Sequence, residues 1–189
     1  MTAAIELTLT PRPLERTEGE IAVVGFFADE RPLRGGAGRA DWRLCGGLSR
    51  RIESGDLSGM SGEALLIASG PALLAPRLLL LGLGERQHFD QLRVGDETQR
   101  ALERCLKLGC TRVAFAPLGI ATDDIPRHAA ALVAGFHAAW KSTQKPMTVH
   151  ICVPGREISA VERALTEARL AANVSEITIR VPEADRGRR

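Results

Sequence analysis

Two short, uninterrupted apolar runs constrain this chain more than any other feature: Ile21-Ala-Val-Val-Gly-Phe-Phe27 and Leu78-Leu-Leu-Leu81. A strand with one wet face alternates apolar and polar side chains, whereas a run without polar members has to be covered on both faces. The second run, within Arg77–Leu83, is therefore expected at the centre of its sheet. Covering both faces takes helices, and the intervening segments supply them. Trp42, Cys45, Leu48 and Ile52 recur at helical spacing, with Asp41 as a first-turn acid and Gly55 as a stop. Asp96–Leu108 reads as a helix with Thr98, Leu102 and Cys105 on one face and Gly109 as its C′ residue. A third helix takes Asp124 as N-cap and Pro126 in its first turn. Its stripe is Ile125, Ala129, Leu132, Val133, Phe136 and Trp140. Ser159 and Glu162 stand in capping-box spacing at the head of a fourth helix, Ser159–Ala172.

Shorter strands are expected at Ala64–Ala68, Arg112–Ala116, Thr148–Val153 and Ile177–Val181. Ile5–Thr10 alternates apolar and polar residues, as an edge or antiparallel strand would, and Pro11 and Pro13 stop it. This order predicts an α/β fold of three layers, α/β/α, around a mixed, mostly parallel sheet. No linker or repeat divides residues 1–182, which read as a single domain. Residues 183–189, with Arg186, Arg188 and Arg189, read as a basic C-terminal tail.

Composition narrows the partners. The 25 basic and 23 acidic residues are interleaved and leave a net charge of +2, which gives no footprint for a polyanion. Aromatic residues make up only 4% of the chain and Tyr is absent, so platforms for stacking bases are lacking. Nucleic acid is not an expected partner. Residues 1–20 hold no apolar stretch of signal-peptide length, and no run reaches the ~18 apolar residues of a membrane span. The expectation is a cytoplasmic protein with no membrane contact. Cys45, Cys105, Cys110 and Cys152 are expected as free, mostly buried thiols, because the one Cys-x4-Cys pair lacks zinc spacing. His88, His128, His137 and His150 never fall at metal spacing, and Ser49 and Ser54 lack a nucleophile-elbow context. No metal or cofactor is expected. Trp42 and Trp140 both lie on apolar stripes and are expected in the core.

The glycine-rich stretch Gly35-Gly36-Ala37-Gly38 is the best anion-site candidate, since its backbone N–H groups can turn inward just ahead of a helix. Its competing reading is a flexible crossover loop. Gly82-Leu-Gly84 ends an apolar strand but lacks a third glycine, and reads as a tight strand exit. Asp123 and Asp124 read as a solvated acid and its N-cap neighbour.

Longer stretches resemble a known family. Gly46-Gly-Leu-Ser-Arg-Arg-Ile-Glu-Ser-Gly-Asp-Leu-Ser-Gly-Met-Ser-Gly-Glu-Ala-Leu-Leu-Ile67 is similar to the N-terminal domain of the leucyl aminopeptidases. So are Arg77-Leu-Leu-Leu-Leu-Gly-Leu-Gly-Glu-Arg86 and Leu108-Gly-Cys-Thr-Arg-Val-Ala-Phe-Ala-Pro117, and the likeness runs over roughly residues 5–181. The resemblance implies a macro-domain-like fold with a six-stranded mixed sheet and a ligand crevice at the carboxyl ends of the strands. ADP-ribose fills that crevice in macro domains. The candidate crevice residues are then Gly35, Gly36, Ala37 and Gly38, with Gly119 and Thr122 from Leu118-Gly-Ile-Ala-Thr-Asp-Asp124, which aligns with the macro-domain phosphate loop.

The sequence also departs from both patterns. Gly25-Phe-Phe-Ala-Asp29 has no Asn where macro domains hold the distal ribose, and no Gly-Asp-Ile motif precedes Gly19. Asp123 and Asp124 would repel a pyrophosphate. The peptidase chemistry of the aminopeptidases belongs to a C-terminal domain. Its Asn-Thr-Asp-Ala-Glu-Gly-Arg signature occurs nowhere in these 189 residues, and Lys107, Lys141 and Lys145 sit beside no carboxylate cluster. The expectation is a non-catalytic, stand-alone homologue of the N-terminal domain: an assembly, regulatory or protein-interaction module with a protein partner or self-association. Two alternatives stay open, a small-molecule module for a nucleotide or ADP-ribose-like ligand, and a fragment of a full-length metallo-aminopeptidase.

Overall fold

The computed structural model describes residues 4–182; the segment 183–189, expected as a basic tail, lies outside the described residues. Seven strands form one sheet: β1 (Ile5–Thr10), β2 (Ile21–Phe26), β3 (Ala64–Ala68), β4 (Arg77–Gly82), β5 (Arg112–Phe115), β6 (Met147–Cys152) and β7 (Ile177–Arg180). Their order is β3-β4-β2-β5-β6-β1-β7, one strand more than the family resemblance implies. Every neighbouring pair is parallel except β3 against β4. A mixed, mostly parallel α/β sheet is thus what the chain forms, and five helices flank it: α1 (Gly35–Arg43), α2 (Gly47–Glu53), α3 (Gln91–Lys107), α4 (Ile125–Thr143) and α5 (Ile158–Ala171).

The two apolar runs have the burial their composition demands. Along β4, Leu79 and Leu81 join the core under α3, α4 and α5, while Leu78 and Leu80 join a second core with residues of α1 and α2. Along β2, Ile21 and Val23 face the first core, and Ala22, Val24 and Phe26 the second. β4 lies next to the edge strand β3, so it is interior rather than central; β2 and β5 hold the middle. The register aligns Val23, Phe115, Ile151 and Leu9 in one row across β2, β5, β6 and β1. All four belong to the first core.

β1 is not an edge strand. It lies parallel between β6 and β7, and five of its six residues are buried. Its alternation has another origin. Ile5, Leu7 and Leu9 face the three-helix core, whereas α1 and α2 pack over the β4–β2–β5 half of the opposite face. On the other half of that face β6 places Thr148, His150 and Cys152, which are only partly buried. The polar members of β1 therefore record which half of the sheet the strand occupies, not an exposed edge.

The stripe over Trp42–Ile52 is carried by two helices rather than one. Cys45 and Gly46 adopt left-handed φ values of 53° and 78°, which break the run. Asp41, in the last turn of α1, caps α2: its Oδ1 accepts from the backbone N–H groups of Leu48 (2.8 Å) and Ser49 (3.1 Å), and Oδ2 from the Ser49 hydroxyl (2.6 Å). The face α1 buries is made of Ala37 and Ala40. Trp42 lies about 200° round the helix from Ala40. It is 75% exposed, with the Arg43 guanidinium 5.8 Å from its ring centre. Trp42 is therefore not a core residue, while Trp140 is buried together with the whole expected stripe of α4.

Helix ends show smaller differences. α3 begins at Gln91, earlier than Asp96, because Asp90 caps it by accepting from the Arg93 N–H at 3.0 Å. Gly109 follows it with φ 73°, as a C′ glycine should. α5 starts at Ile158 behind a 3-10 turn, with Glu157 at the N-cap position, so Ser159 sits inside the first turn rather than at the cap. Of the cysteines, Cys105 and Cys110 are buried and Cys152 is half-buried, but Cys45, in the break after α1, is exposed.

Candidate functional site

In a parallel sheet every strand ends on the same side, and the loops leaving those ends leave a crevice between them. Here the loops after β1, β2, β5 and β6 do so. One lobe of about 620 Å³ lies among Pro11–Leu14, the head of α1, Ala116–Pro117, Ile120–Thr122 and Cys152–Pro154. A second lobe of about 470 Å³ adjoins it through shared walls at Gly35, Gly36, Pro117, Ile120 and Ala121, and adds Phe27, Glu30, Arg34 and Arg86.

The stretch Gly35–Gly38 is the first turn of α1, not a free loop. Gly38 donates its N–H to the Arg34 carbonyl at 3.0 Å, which opens the helix. The N–H groups of Gly35, Gly36 and Ala37 come before that bond and have no carbonyl one turn back. Gly35 and Gly36 line both lobes, so this positive helix end faces the crevice. Gly36 is required by contact: a Cβ there would run into Cβ of Ala116, at the end of β5, and would press on Val24 Cγ1 at 3.2 Å. Ala37 and Gly38 do not line the crevice. Ala37 is fully buried in the second core, and Gly38 packs on the Leu33 carbonyl. Gly119 and Thr122 do line it, one in each lobe. Gly119 has φ +69° and lies so close to Phe89 and Phe27 that a Cβ would come within 2.5 Å and 2.9 Å of their rings. Those rings meet edge-on at 5.1 Å and wall off that end.

The expected carboxylate obstacle is not in the crevice. Asp123 and Asp124 belong to the 3-10 turn Thr122–Asp124 and line neither lobe; Thr122 faces inward instead. The charged groups at the rim come largely as pairs. Arg39 grips Glu15 through two hydrogen bonds of 3.0 Å and 3.3 Å. Burial pushes the Glu15 carboxyl up, but the Arg39 hydrogen bond, with the charges of Arg39 and Arg43, outweighs it and holds the group below the usual 4.5. Arg86 donates to Glu30 at 2.6 Å and lies 4.2 Å from the centre of the Phe27 ring, and Arg34 reaches the same carboxylate at 3.7 Å. Arg12 also lines the first lobe and has no ion pair among the described residues. On the opposite wall Cys152 Sγ lies 3.4 Å from the Thr17 hydroxyl, and burial pushes its thiol up to about 11.

Sequence reasoning did not find Arg12, Phe27, Arg86, Phe89 or Cys152. The missing signal was the direction of β1. Once that strand is parallel, the residues after its carboxyl end, Pro11-Arg12-Pro13, fall on the same side as Ala116-Pro117 and Val153-Pro154. Among the described residues no group of three or more His, Cys, Asp or Glu side chains is placed to hold a metal ion. None of their helices is long and apolar enough to cross a membrane.

The sheet order, the helices on its two faces and the crevice together define a macro-domain-like α/β protein. An Oceanobacillus iheyensis macrodomain, a mutant form, superposes with TM-score 0.67 over 89% of this chain and 94% of its own, at 12% identity. The Trypanosoma brucei macrodomain in complex with ADP-ribose gives 0.64 over 84% and 68%, at 17% identity. A mutant tomato leucine aminopeptidase gives 0.68 over 89% of this chain but 36% of its own, at 16% identity. At such identities the likeness concerns the fold alone.

Sequence settles the family. Residues 23–144 match the model of the cytosol aminopeptidase family, N-terminal domain, and the chain belongs to that family. A probable cytosol aminopeptidase of Stenotrophomonas maltophilia is 37% identical over 131 residues, which is 64% of this chain and 25% of that protein. Its counterpart from Nitrosococcus oceani is 32% identical over 110 residues, or 58% and 22%. The chain thus spans about a quarter of the length of these relatives.

Proposed function

We propose that this chain is a non-catalytic accessory domain of the aminopeptidase type that works through protein contacts. The observation that carries the reading is the edge of the sheet at β3. Its residues, Ala64-Leu-Leu-Ile-Ala68, are all uncharged and apolar, and Leu66 is 42% exposed. The opposite edge, β7, is guarded by Thr178 and Arg180, the latter paired with Glu6 at 3.4 Å. Folded proteins protect their sheet edges with charge, proline or a covering element, so an apolar edge left open is a surface meant for a partner. Exposed Trp42 and Leu74 add apolar surface elsewhere on the chain. The test is size-exclusion chromatography with light scattering on the purified chain, together with co-purification from its host. Association with itself or with a defined protein is expected; a strict monomer that brings down nothing overturns the reading.

The crevice supports a second reading, a pocket for a small anionic ligand. The support is the open N-terminus of α1 at the junction of the two lobes, with Arg12 nearby. Macrodomains of similar fold hold ADP-ribose or ADP. In this chain Arg39 is paired with Glu15, while Arg34 and Arg86 share the single Glu30 carboxylate, so an anion draws on the helix end, Arg12 and the positive charge left over beside Glu30. Calorimetric titration with ADP-ribose and ADP tests this, and no heat at millimolar ligand rejects it.

A further inference from the structure

Resting on the accessory-domain reading, we infer that the partner at the β3 edge is a second copy of this chain, docked strand to strand about a two-fold axis that passes between the two copies of Leu66. The first argument is the hydrogen-bond pattern. Glu63 accepts from the Gly82 N–H at 3.1 Å and Ser69 donates to the Pro76 carbonyl at 3.0 Å. In an antiparallel ladder alternate residues turn their polar groups to the same side. Glu63, Leu65, Ile67 and Ser69 therefore face β4, and the N–H and C=O groups of Ala64, Leu66 and Ala68 point out of the sheet. No hydrogen bond to these outward groups occurs among the described residues.

The second argument is that the strand is its own complement. Ala64-Leu65-Leu66-Ile67-Ala68 reads almost the same in both directions about Leu66. Antiparallel pairing with a copy centred there sets Ala64 against the partner's Ala68, Leu65 against Ile67, and Leu66 against Leu66. Every outward N–H then meets an outward C=O, with none left over on either strand. The faces agree as well. Leu65 and Ile67 lie beside Leu80 and Leu78, on the side of the second core, and Leu66 lies beside Leu79 of the first. A two-fold axis perpendicular to the sheet preserves those faces, so each apolar row continues across the join. Leu44 and Ile52, partly buried members of the second core's rim, belong to that same side.

The third argument is closure. An interface built on one self-complementary edge makes a dimer and stops. The far edge, with Arg180 and Thr178 exposed, offers no second apolar strand on which a chain of copies could grow.

Charge on the two-fold axis provides the test. Leu66→Lys and Leu66→Glu each place like charges face to face across the axis, at a position exposed enough to accept them in the isolated chain. Sedimentation velocity on the wild-type chain is expected to show a dimer. Each variant alone is expected to dissociate, its dimer constant weakened at least about tenfold, with unchanged circular dichroism. An equimolar mixture of the two variants is expected to restore the dimer, because Lys now faces Glu; an interface that does not bring Leu66 against its own copy has no reason to recover. A wild-type dimer that survives both substitutions overturns the β3 inference and leaves the accessory reading standing. A wild-type monomer across the accessible concentration range also overturns it; the accessory reading then falls as well only if no host protein co-purifies.

Discussion

Replacing Gly36 by Ala tests whether the head of α1 is held in place by backbone contact with the end of β5. The added methyl has no room: it would collide with Cβ of Ala116 and press on Val24 Cγ1 at 3.2 Å. Neither atom is the free end of a flexible side chain, since both are fixed to core strands or their exits. Relief requires moving the helix or the strand end, and overpacking of this kind costs about 1–3 kcal/mol. For a chain of this size that lowers Tm by roughly 2–4 °C per kcal/mol. Gly35→Ala is the control for backbone strain without collision, because Gly35 has φ +54° and nothing within 4 Å of the added carbon. Its cost should be about 1 kcal/mol, from the left-handed backbone alone. The decisive variant is Gly36→Ala combined with Ala116→Gly, which removes the other half of the collision. Urea denaturation of the wild type, Gly36→Ala, Ala116→Gly and the double variant should show the double variant recovering at least about 1 kcal/mol relative to the sum of the two single changes. If Gly36→Ala costs less than about 0.5 kcal/mol, or if Ala116→Gly brings no recovery, the packing argument for this end of the crevice is wrong.

Other consequences can be measured with simpler variants. Asp41→Ala removes the cap of α2 and leaves the Leu48 and Ser49 N–H groups without their acceptor; it should cost about 1–2 kcal/mol and speed amide exchange in Gly47–Glu53. Glu20 accepts from the backbone N–H groups of Thr111 (2.7 Å) and Arg112 (3.0 Å), and these bonds, against a smaller opposing effect of burial, hold its carboxyl below 4.5. Its contribution to stability is complete above pH 4.5 and is lost as pH falls through the lower folded value, so Glu20→Gln should flatten the acid side of the stability–pH curve while changing its slope little near neutrality. Burial pushes the Cys105 thiol up to about 12 and Cys152 up to about 11, whereas Cys45 is exposed. Iodoacetamide at neutral pH, followed by peptide mapping, should therefore modify Cys45 first; early labelling of Cys152 would contradict its placement against Thr17.

The parts of the fold legible in the chain were those with a short-range cause. The runs on β2 and β4 announced two-sided burial. The stripe of α4, the stop at Gly109 and the strand at Ala64–Ala68 also appear where their residues place them. Failures came where one pattern has two causes. The alternation of β1 reads alike for an exposed edge and for an interior strand whose second face carries no helix. The helical spacing from Trp42 to Ile52 does not reveal that Cys45 and Gly46 reverse the backbone between two helices. Of the crevice candidates, Gly35, Gly36, Gly119 and Thr122 line the cavity, and Ala37 and Gly38 do not, because a first helical turn shows only one side to its neighbour.

Local composition and periodicity thus sufficed for the layered α/β class and the order of its elements, while the family rested on the likeness of longer stretches such as 46–67 and 77–86. Composition and periodicity act through near neighbours along the chain: burial of a strand's faces, one helix stripe, one cap. The position of β1 inside the sheet, the loops that its direction brings to the crevice and the open edge at β3 depend on strand order. Strand order is set by which distant segments pair, and a residue's own neighbours carry no record of that choice. Only the assembled sheet decides it.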